Sequence, residues 1–294
     1  MVIKHIVISG GGPSSLITYG TLKELHNRKF WKLENIQNLH GCSAGSFLSL
    51  IILLDYNWEW IDDFFIKRPW NELMDIKPEE LLNVNSNLGI IDYKFMSKVI
   101  SPLLEGKGLS KDITMKELYE YSGKTLHIYT CNMKTSLEKI CITHKNYPNL
   151  PVYKAIYMSL TIPGICKPIS DKKGFYVDGG YLCHYPKEEI CNDSNINNDE
   201  VLFLFLNSTP LKVITEDTTL ITLAFELFNR LQMVANKGKL WGVKTAKNEI
   251  CGTLLNNDGM VNWFNLMNEQ ELRQKHIYQG TQDARKFLEN SSDG

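Results

Sequence analysis

The order of apolar and polar positions at the start of the chain predicts alternating strands and helices. Residues 2–9 are almost continuously apolar and rich in β-branched side chains, which is typical of a strand buried on both faces. Glycines and a proline at residues 10–13 end this strand, and apolar positions then recur with helical spacing over residues 16–28. A short strand, a sharp turn and an almost wholly apolar helix follow, over residues 36–39, 41–45 and 46–54. This order indicates a parallel β-α-β-α opening of an α/β fold.

The remaining periodic segments continue the α/β pattern as far as residue 206 and then become mainly helical. In chain order they are paired strands over 125–131 and 137–143, a helix over 152–160, strands over 174–177 and 201–206, and helices over 218–236 and 268–288. Residues 83–89 are predicted to be a loop. No linker rich in proline, glycine or serine marks a second domain. We therefore predict a single domain over residues 1–294, in which 1–210 form the α/β core and 211–294 a mainly helical C-terminal extension packed on it.

The composition is that of a globular protein with balanced charge. Of 294 residues, 43% are apolar, and 32 Lys and Arg face 33 Asp and Glu, which gives a formal net charge of −1. This balance argues against a nucleic-acid partner captured by a bulk positive field, and against a polybasic membrane protein. An enzyme or a binding domain remains.

The cysteines and the apolar runs bear on the compartment. Seven cysteines are scattered without a C-x-x-C pair, which favours reduced thiols over a disulfide framework or a zinc site. The N-terminus lacks the pattern of a secretory signal, and the longest strongly apolar segment, residues 47–54, is far shorter than the roughly 20 residues of a transmembrane helix. We expect a cytoplasmic or peripherally membrane-associated protein without a transmembrane segment.

Residues 41–45 have the sequence Gly-Cys-Ser-Ala-Gly, which matches the pattern G-x-S-x-G between a strand and a helix. In such a turn the central Ser43 stands on strained backbone, and Gly41 and Gly45 leave room for neighbouring backbone. The helix that follows directs its N–H groups and the positive end of its dipole toward Ser43, which stabilises developing negative charge. Ser43 is a candidate nucleophile, although a serine that only caps a helix fits the same pattern.

A glycine run directly follows the first strand. The N–H groups of Gly10, Gly11 and Gly12 can converge on one spot, as an oxyanion hole or a phosphate cradle does. Nucleotide-binding patterns do not fit, because Ser15 occupies the position of the third glycine and no G-K-[ST] follows. A tight strand-to-helix turn without a ligand is the alternative.

An acidic residue stands at the end of another predicted strand. Asp178 is followed by Gly179 and Gly180, so that its carboxylate can project into a crowded site. Taken alone, an Asp-Gly pair is more often a simple turn. Asp178 is a candidate catalytic residue only if it belongs to the same site as Ser43.

Four segments, in this order, resemble the patatin-like phospholipase family. They are the glycine loop before a helix, Gly-Cys-Ser-Ala-Gly-Ser, a run of small residues ending in Ile-Pro-Gly, and Asp-Gly-Gly with a later proline, at residues 10–12, 41–46, 158–165 and 178–186. The Gly-Gly-Gly-Pro start also looks like the patatin-like proteins of some large DNA viruses. The resemblance extends over residues 2–206 and implies a three-layer α/β/α fold with a mainly parallel central sheet.

The resemblance implies a lipid acyl hydrolase of the phospholipase A or esterase type. The family uses a Ser–Asp dyad, which here assigns Ser43 as the nucleophile and Asp178 as the general base, with the N–H groups of Gly10, Gly11 and Gly12 as the oxyanion hole. A carboxylate of ordinary pKa is a poor base for a hydroxyl, so this chemistry requires a close hydrogen bond and a partly desolvated site. No metal or organic cofactor is needed. The expected partner is a lipid or phospholipid at a membrane or micelle surface, and the sequence leaves the oligomeric state open.

Two positions depart from the family pattern. Ser14 stands where the family usually has a basic residue, which puts recognition of a phospholipid headgroup in doubt, and Pro13 has no N–H to donate. His184 stands where the family usually has asparagine. It either hydrogen-bonds the loop or belongs to a conventional Ser–Asp–His triad, for which only His184 and His276 follow Asp178 in the chain. A catalytically silent lipid-binding or scaffold protein of the same fold is the other alternative.

Two apolar segments have open roles. The aromatic residues between Trp58 and Trp70 could seat the protein on a lipid interface or pack into the core. The predicted helix over residues 218–236 could cover an acyl pocket as a lid, or pack structurally.

Overall fold

The computed structural model describes residues 2–74, 84–206, 213–235, 246–255 and 260–292. The strands in these ranges are β1 (His5–Ile8), β2 (Asn38–Cys42), β3 (Thr125–Asn132), β4 (Glu138–Ile142), β5 (Ile169–Ser170), β6 (Phe175–Asp178), β7 (Val201–Leu206) and β8 (Glu249–Gly252). The α-helices are α1 (Leu16–Asn27), α2 (Ala44–Leu53), α3 (Trp58–Lys67), α4 (Trp70–Met74), α5 (Val84–Asn87), α6 (Tyr93–Glu105), α7 (Met115–Ser122), α8 (Val152–Leu160), α9 (Gly180–Cys183), α10 (Lys187–Cys191), α11 (Leu220–Ala235), α12 (Met260–Asn268) and α13 (Gln270–Ser292).

The strands form one sheet, and its hydrogen-bonded neighbours follow the path β5-β6-β3-β2-β1-β7-β8. In this path β2 and β6 pair with successive parts of β3, and β4 pairs with β3 outside the path. The central strands β3, β2, β1, β7 and β8 run parallel, and β4, β5 and β6 join by antiparallel pairing. The prediction of an α/β fold with a mainly parallel central sheet is confirmed. Helices connect the parallel strands, as a crossover between parallel neighbours requires.

The central strands divide their side chains between two cores, one on each face of the sheet. On β1, Ile6 and Ile8 enter the larger core while Val7 enters the smaller one; on β7, Leu204 and Phe203 are divided in the same way. This is the period of two expected of a strand that is buried on both faces. The larger core contains the apolar residues of α1, α2, α6, α8 and α13, and the smaller one contains Ile190 of α10. The fold therefore has three layers.

The second strand differs from its prediction. The apolar pattern placed it over residues 36–39, but β2 spans Asn38–Cys42 and includes the first glycine of the G-x-S-x-G segment. Polar residues inside β2 concealed its extent. The side chains of Asn38 and His40 bond to His5 and Tyr129 on the neighbouring strands, at 3.2 Å each. The predicted turn over residues 41–45 therefore shrinks to the single residue between β2 and α2.

The aromatic residues of α3 and α4, apart from the exposed Trp60, pack into or against the core. Phe64, Phe65 and Trp70 are buried, and Trp60 stacks between Tyr56 and Phe64. This arrangement favours the structural alternative over a lipid-binding surface for this segment. The neighbouring residues 83–89 were expected to be a loop, but α5 spans Val84–Asn87; a helix of four residues, three of them polar, is too short to show a helical period.

The C-terminal part of the chain is built into the fold. It contains α11 and α13, which correspond to the two predicted helices, and α12, which was not predicted. It also supplies β8, an edge strand that is too short to be recognised from its sequence. Helix α13 crosses α1 where two glycines meet the opposite backbone: a Cβ on Gly20 would lie 2.0 Å from the carbonyl oxygen of Ile277, and one on Gly280 would lie 1.8 Å from that of Ile17. Such close contact is possible only without side chains. The predicted boundary at residue 210 lies outside the described residues.

A buried arginine joins α13 to two other helices. Arg273 of α13 is 5% exposed and donates to the carbonyl oxygens of Ile66, near the end of α3, and of Leu266 and Met267, near the end of α12. Carbonyl groups in the last turn of a helix have no partner within the helix and carry the negative end of its dipole. The guanidinium thus satisfies these carbonyl groups, and their negative partial charge compensates its positive charge.

In the described ranges, we find no helix with both the length and the apolarity to cross a membrane.

Candidate active site

Ser43 is the single residue between β2 and α2, and its backbone is strained. Its φ is 51° and its ψ is −128°, a positive φ that residues with a side chain rarely adopt. A Cβ on Gly41 would lie 2.5 Å from the carbonyl oxygen of Gly45, and one on Gly45 would lie 2.5 Å from that of Ile8. Only glycine at these two positions lets β2 turn sharply into α2 and lets α2 pack on the end of β1. The Ser43 side chain is thereby held at the C-terminal edge of the parallel strands.

Asp178 reaches the same point from the opposite direction. Strand β2 pairs with the first part of β3 and ends with Cys42 opposite Tyr129. Strand β6 is antiparallel to β3 and ends with Asp178 opposite Thr130. Because β4 occupies the other edge of β3 over both of these positions, β2 and β6 lie on one edge and their C-terminal ends meet. This meeting of strand ends brings Ser43 to Asp178.

A hydrogen bond joins the two side chains. The Ser43 hydroxyl donates to Oδ2 of Asp178 at 2.8 Å, and the N–H of Gly180 donates to Oδ1 at 2.7 Å. Asp178 is 1% exposed, and burial raises its pKa to about 7, even though the bonds from Gly180 and Ser43 act in the opposite direction. The carboxyl group therefore titrates near neutral pH, where an ordinary aspartate is fully ionised.

The end of α8 and the residue that follows it fix both members of this pair. The N–H of Ser43 donates to Oγ of Ser159 at 2.8 Å, and the Ser159 hydroxyl donates to the carbonyl of Tyr129 at 2.5 Å. The N–H of Asp178 donates to the carbonyl of Thr161 at 2.6 Å. The third of the four sequence segments thus acts by positioning, which its residue types alone did not indicate.

The glycine loop lies against Ser43. A Cβ on Gly10 would lie 3.2 Å from Cβ of Ser43, so this loop approaches the serine closely. The N–H of Gly10 donates to the carbonyl of His184 at 3.0 Å and is therefore already paired. Of the three predicted oxyanion donors, Gly11 and Gly12 are those whose N–H groups have no acceptor in the described part of the chain. Gly12 has a φ of 52°, which suits glycine.

His184 lies beside the pair without bonding to it. Its Nδ1 contacts Nε2 of Gln232 at 2.7 Å, and no hydrogen bond to Ser43 or Asp178 occurs among the described residues. Burial lowers the pKa of His184 to about 4, so the ring is neutral near pH 7. Since an amide nitrogen can only donate, Nδ1 accepts and Nε2 carries the proton. His276 lies on α13, where its Nδ1 contacts the carbonyl of Leu272. Neither histidine completes a triad in this structure.

Two cavities meet at Ser43. The larger one, of 270 Å³, is lined by apolar side chains of α2, α6 and α8, including Phe47, Met96 and Tyr157. The smaller one, of 70 Å³, is more polar and includes Ser14, His184 and Gln232 with both Ser43 and Asp178. Ser14 is buried in this smaller cavity, at the position where the family usually has a basic residue.

Several residues of these cavities come from the C-terminal part of the chain, whose role the sequence left open. Phe225 and Phe228 of α11 and Trp263 of α12 line the small cavity, and Trp263 also lines the large one. A Cβ on Gly12 would lie 2.2 Å from the Trp263 ring, so α12 closes over the glycine loop. The lid alternative for the predicted helix over residues 218–236 had placed this helix over a pocket, and α11 does line the small cavity. No feature of the sequence indicated the contribution of Trp263.

Comparison with known families agrees with this geometry. The profile of the family described as patatin-like phospholipase matches residues 6–189, which include Ser43 and Asp178. The chain belongs to the patatin-like phospholipase family. Curated relatives of this family member include a protein named "Probable lipid hydrolase" of Invertebrate iridescent virus 6, 26% identical over 185 residues, and an uncharacterised protein of Acanthamoeba polyphaga mimivirus, 24% identical over 184 residues. These matches span 62% and 63% of this chain, and 61% and 60% of the relatives.

Solved structures show the same fold. VipD from Legionella pneumophila has a TM-score of 0.55 at 16% identity, over 99% of this chain and 67% of that one. The type III effector ExoU has a TM-score of 0.55 at 14% identity, over 99% of this chain and 53% of that one. Both similarities include the C-terminal helices that lie outside the family match. The patatin-like fold class is therefore confirmed over nearly the whole chain.

Proposed function

We propose that this patatin-like protein hydrolyses fatty-acyl esters of lipids through an acyl-Ser43 intermediate. The observation that carries the proposal is the 2.8 Å bond from the Ser43 hydroxyl to a buried Asp178 carboxylate, at the junction of an apolar and a polar cavity. A nucleophile with its base in hydrogen-bond contact is the arrangement that acyl transfer needs. Membership of a phospholipase family and a viral relative named as a lipid hydrolase support the same chemistry.

In the acylation step, Oγ of Ser43 attacks the ester carbonyl carbon while its proton passes to Asp178. The tetrahedral intermediate then collapses as the C–O bond of the leaving alcohol breaks, and protonated Asp178 returns the proton to that alcohol. In deacylation, Asp178 takes a proton from water, the resulting hydroxide attacks the acyl carbon, and Ser43 leaves with the proton. The products are a fatty acid and an alcohol. A pKa of about 7 for Asp178 makes it a far better base than an ordinary aspartate.

The oxyanion would be stabilised by backbone groups on two sides. Gly11 and Gly12 offer N–H groups from the loop, whereas the N–H of Gly10 already bonds to His184 and supports the loop instead. Helix α2 begins directly after Ser43 and adds the positive end of its dipole. Removing a single oxyanion donor typically costs about 10²–10³ in kcat. We therefore propose Gly11 and Gly12 as the oxyanion hole, with Gly10 in a supporting role.

The acyl chain would occupy the large apolar cavity. Its lining is almost entirely hydrophobic, and Ser43 lies at its junction with the smaller, more polar cavity, which suits the alcohol of the ester. Each methylene that enters an apolar site contributes about 0.8 kcal/mol of transfer free energy. KM for p-nitrophenyl esters should therefore fall as the acyl chain lengthens until the cavity is filled.

The experiment that tests the proposal compares wild type with Ser43→Ala and Asp178→Asn. We expect both variants to lose p-nitrophenyl ester hydrolysis by at least about 10³-fold while keeping wild-type circular dichroism. A fluorophosphonate probe should label the wild type on Ser43, found by peptide mass spectrometry. Ser14→Ala, a serine of the same cavity, is the matched control and should keep the label. A wild type that neither turns over esters nor reacts with the probe would favour the silent scaffold.

A further inference from the structure

Helix α11 has apolar residues on both of its faces. Phe225 and Phe228 are buried on the inner face and line the small cavity at Ser43. The outer face carries a second set of apolar side chains, which we call the outer stripe: Leu220, Leu223, Leu227, Leu231 and Val234, exposed by 68%, 43%, 53%, 45% and 70%. Steps of three and four residues place these five on one side of the helix.

The outer stripe is unusual for a surface in contact with water. Single exposed leucines are common, but a contiguous apolar row on a soluble protein marks an interaction site. Two more apolar residues of the preceding segment, Val213 and Ile214, are exposed by 85% and 39%. The surface therefore suits an apolar partner.

The residue types of the outer stripe favour lipid over protein. Sites that dominate protein–protein affinity are rich in Trp, Tyr and Arg, and poor in Leu and Val. The outer stripe consists of Leu and Val, and leucine is one of the residues typical of the apolar face of a helix that lies in a membrane interface.

We propose that the outer stripe of α11 docks this protein on the surface of a phospholipid bilayer. The proposal rests on the proposed lipid hydrolase function, and it names the route by which substrate arrives. The inner face of the same helix lines the cavity that contains Ser43 and Asp178, through residues such as Phe225 and Gln232. On a docked protein, α11 alone would separate the bilayer surface from the cavity that contains the Ser43 nucleophile. Docking and catalysis are in this way arranged on opposite faces of one element.

The test measures vesicle binding and hydrolysis separately. In a Ser43→Ala background, which leaves the lipids intact, the full chain is co-sedimented with sucrose-loaded vesicles of phosphatidylcholine containing one fifth phosphatidylglycerol. We expect Leu223→Glu with Leu227→Glu to lower the partition coefficient at least tenfold. The matched control is Leu137→Glu, an exposed leucine on the β3–β4 connection that is 45% exposed, as Leu231 is. This control should bind like its parent.

Activity gives the second arm, with Ser43 restored. The Leu223→Glu/Leu227→Glu protein should hydrolyse soluble p-nitrophenyl butyrate at the wild-type rate, because neither leucine lines a cavity at Ser43. Its hydrolysis of vesicle phospholipid should fall at least tenfold. Vesicle binding by Ser43→Ala protein does not depend on turnover, so a failure of the proposed chemistry would leave this arm readable.

Two results would overturn the proposal. One is a parent protein that does not bind vesicles, or a double variant that binds them as well as its parent does. The other is a dimer of the wild type in sedimentation velocity that the double variant converts to a monomer without any change in vesicle binding. That outcome would assign the outer stripe to a second copy of this chain.

Discussion

Ser43 and Asp178 are 135 positions apart in the chain and are joined by a hydrogen bond of 2.8 Å. They meet because β2 and β6 approach one edge of β3 from opposite ends, one parallel and one antiparallel, and stop at adjacent positions of it. The pair is consequently part of the sheet register and not of a loop that could adjust. Any shift of β6 by one residue would turn the Asp178 side chain to the other face of the sheet.

The raised pKa of Asp178 predicts the pH dependence of hydrolysis. The base must be ionised, and its pKa in the free protein is about 7, so kcat/KM should rise with pH around a midpoint near 7 and then level off. The measurement is kcat/KM for p-nitrophenyl butyrate between pH 5 and 9, with the rate of Ser43→Ala subtracted at each pH. A flat profile across this range would contradict the assignment of Asp178 as the base.

The same shift predicts how stability responds to removing the charge. A carboxyl whose pKa rises from 3.8 when unfolded to about 7 when folded binds its proton more tightly in the folded state, so ionisation destabilises wild type as pH rises through this window. Asp178→Asn has no such charge and keeps the shape of the side chain. As the pH rises from 4 to 7, the free energy of unfolding of Asp178→Asn should therefore increase relative to that of wild type by a few kcal/mol. Above pH 7 this difference should change little.

Urea unfolding at pH 4.5 and pH 8 measures this difference. The control is Asp171→Asn, which removes a carboxylate from the exposed turn between β5 and β6 and leaves the buried pair unchanged. Equal effects of Asp178→Asn at both pH values would argue against a buried carboxyl of raised pKa.

The position of His184 predicts that it is not part of a triad. Its Nδ1 is paired with Gln232, and its low pKa keeps it neutral. Changing it to the family residue, His184→Asn, should lower kcat/KM by less than about tenfold, below the 10²–10⁴ that a general acid–base catalyst contributes. The midpoint of the pH profile should stay near 7. A loss of 10³-fold or more would restore the Ser–Asp–His alternative.

The crossing of α1 and α13 predicts a structural role for the C-terminal helix. In Gly280→Ala the new Cβ would lie 1.8 Å from the Ile17 carbonyl oxygen and 2.7 Å from the Thr21 nitrogen, and backbone atoms cannot move aside locally. We expect the free energy of unfolding to fall by about 1–3 kcal/mol or more. Urea unfolding gives the value. Tyr278→Ala, on the same helix and 64% exposed, should change it by less than about 0.5 kcal/mol.

The sequence by itself determined the fold class, the order of most elements and the two residues proposed for catalysis. These features are local: a continuous apolar run predicts a buried strand, and G-x-S-x-G and Asp-Gly-Gly need glycine wherever backbone approaches backbone. The C-terminal end of β2 was missed because His40 and Gly41 interrupt the apolar pattern, and the partner of the His40 ring, Tyr129, is on another strand.

Tertiary structure alone decided which groups meet. It paired the N–H of Gly10 with His184 and left Gly11 and Gly12 as the candidate oxyanion donors, since hydrogen bonds between distant backbone groups leave no trace in residue type. It raised the pKa of Asp178 by burial, which depends on everything packed around the carboxyl group. It also placed Trp263 over the glycine loop. Periodicity records which side of an element is apolar, but only packing decides whether that side meets the core, a cavity or the surface.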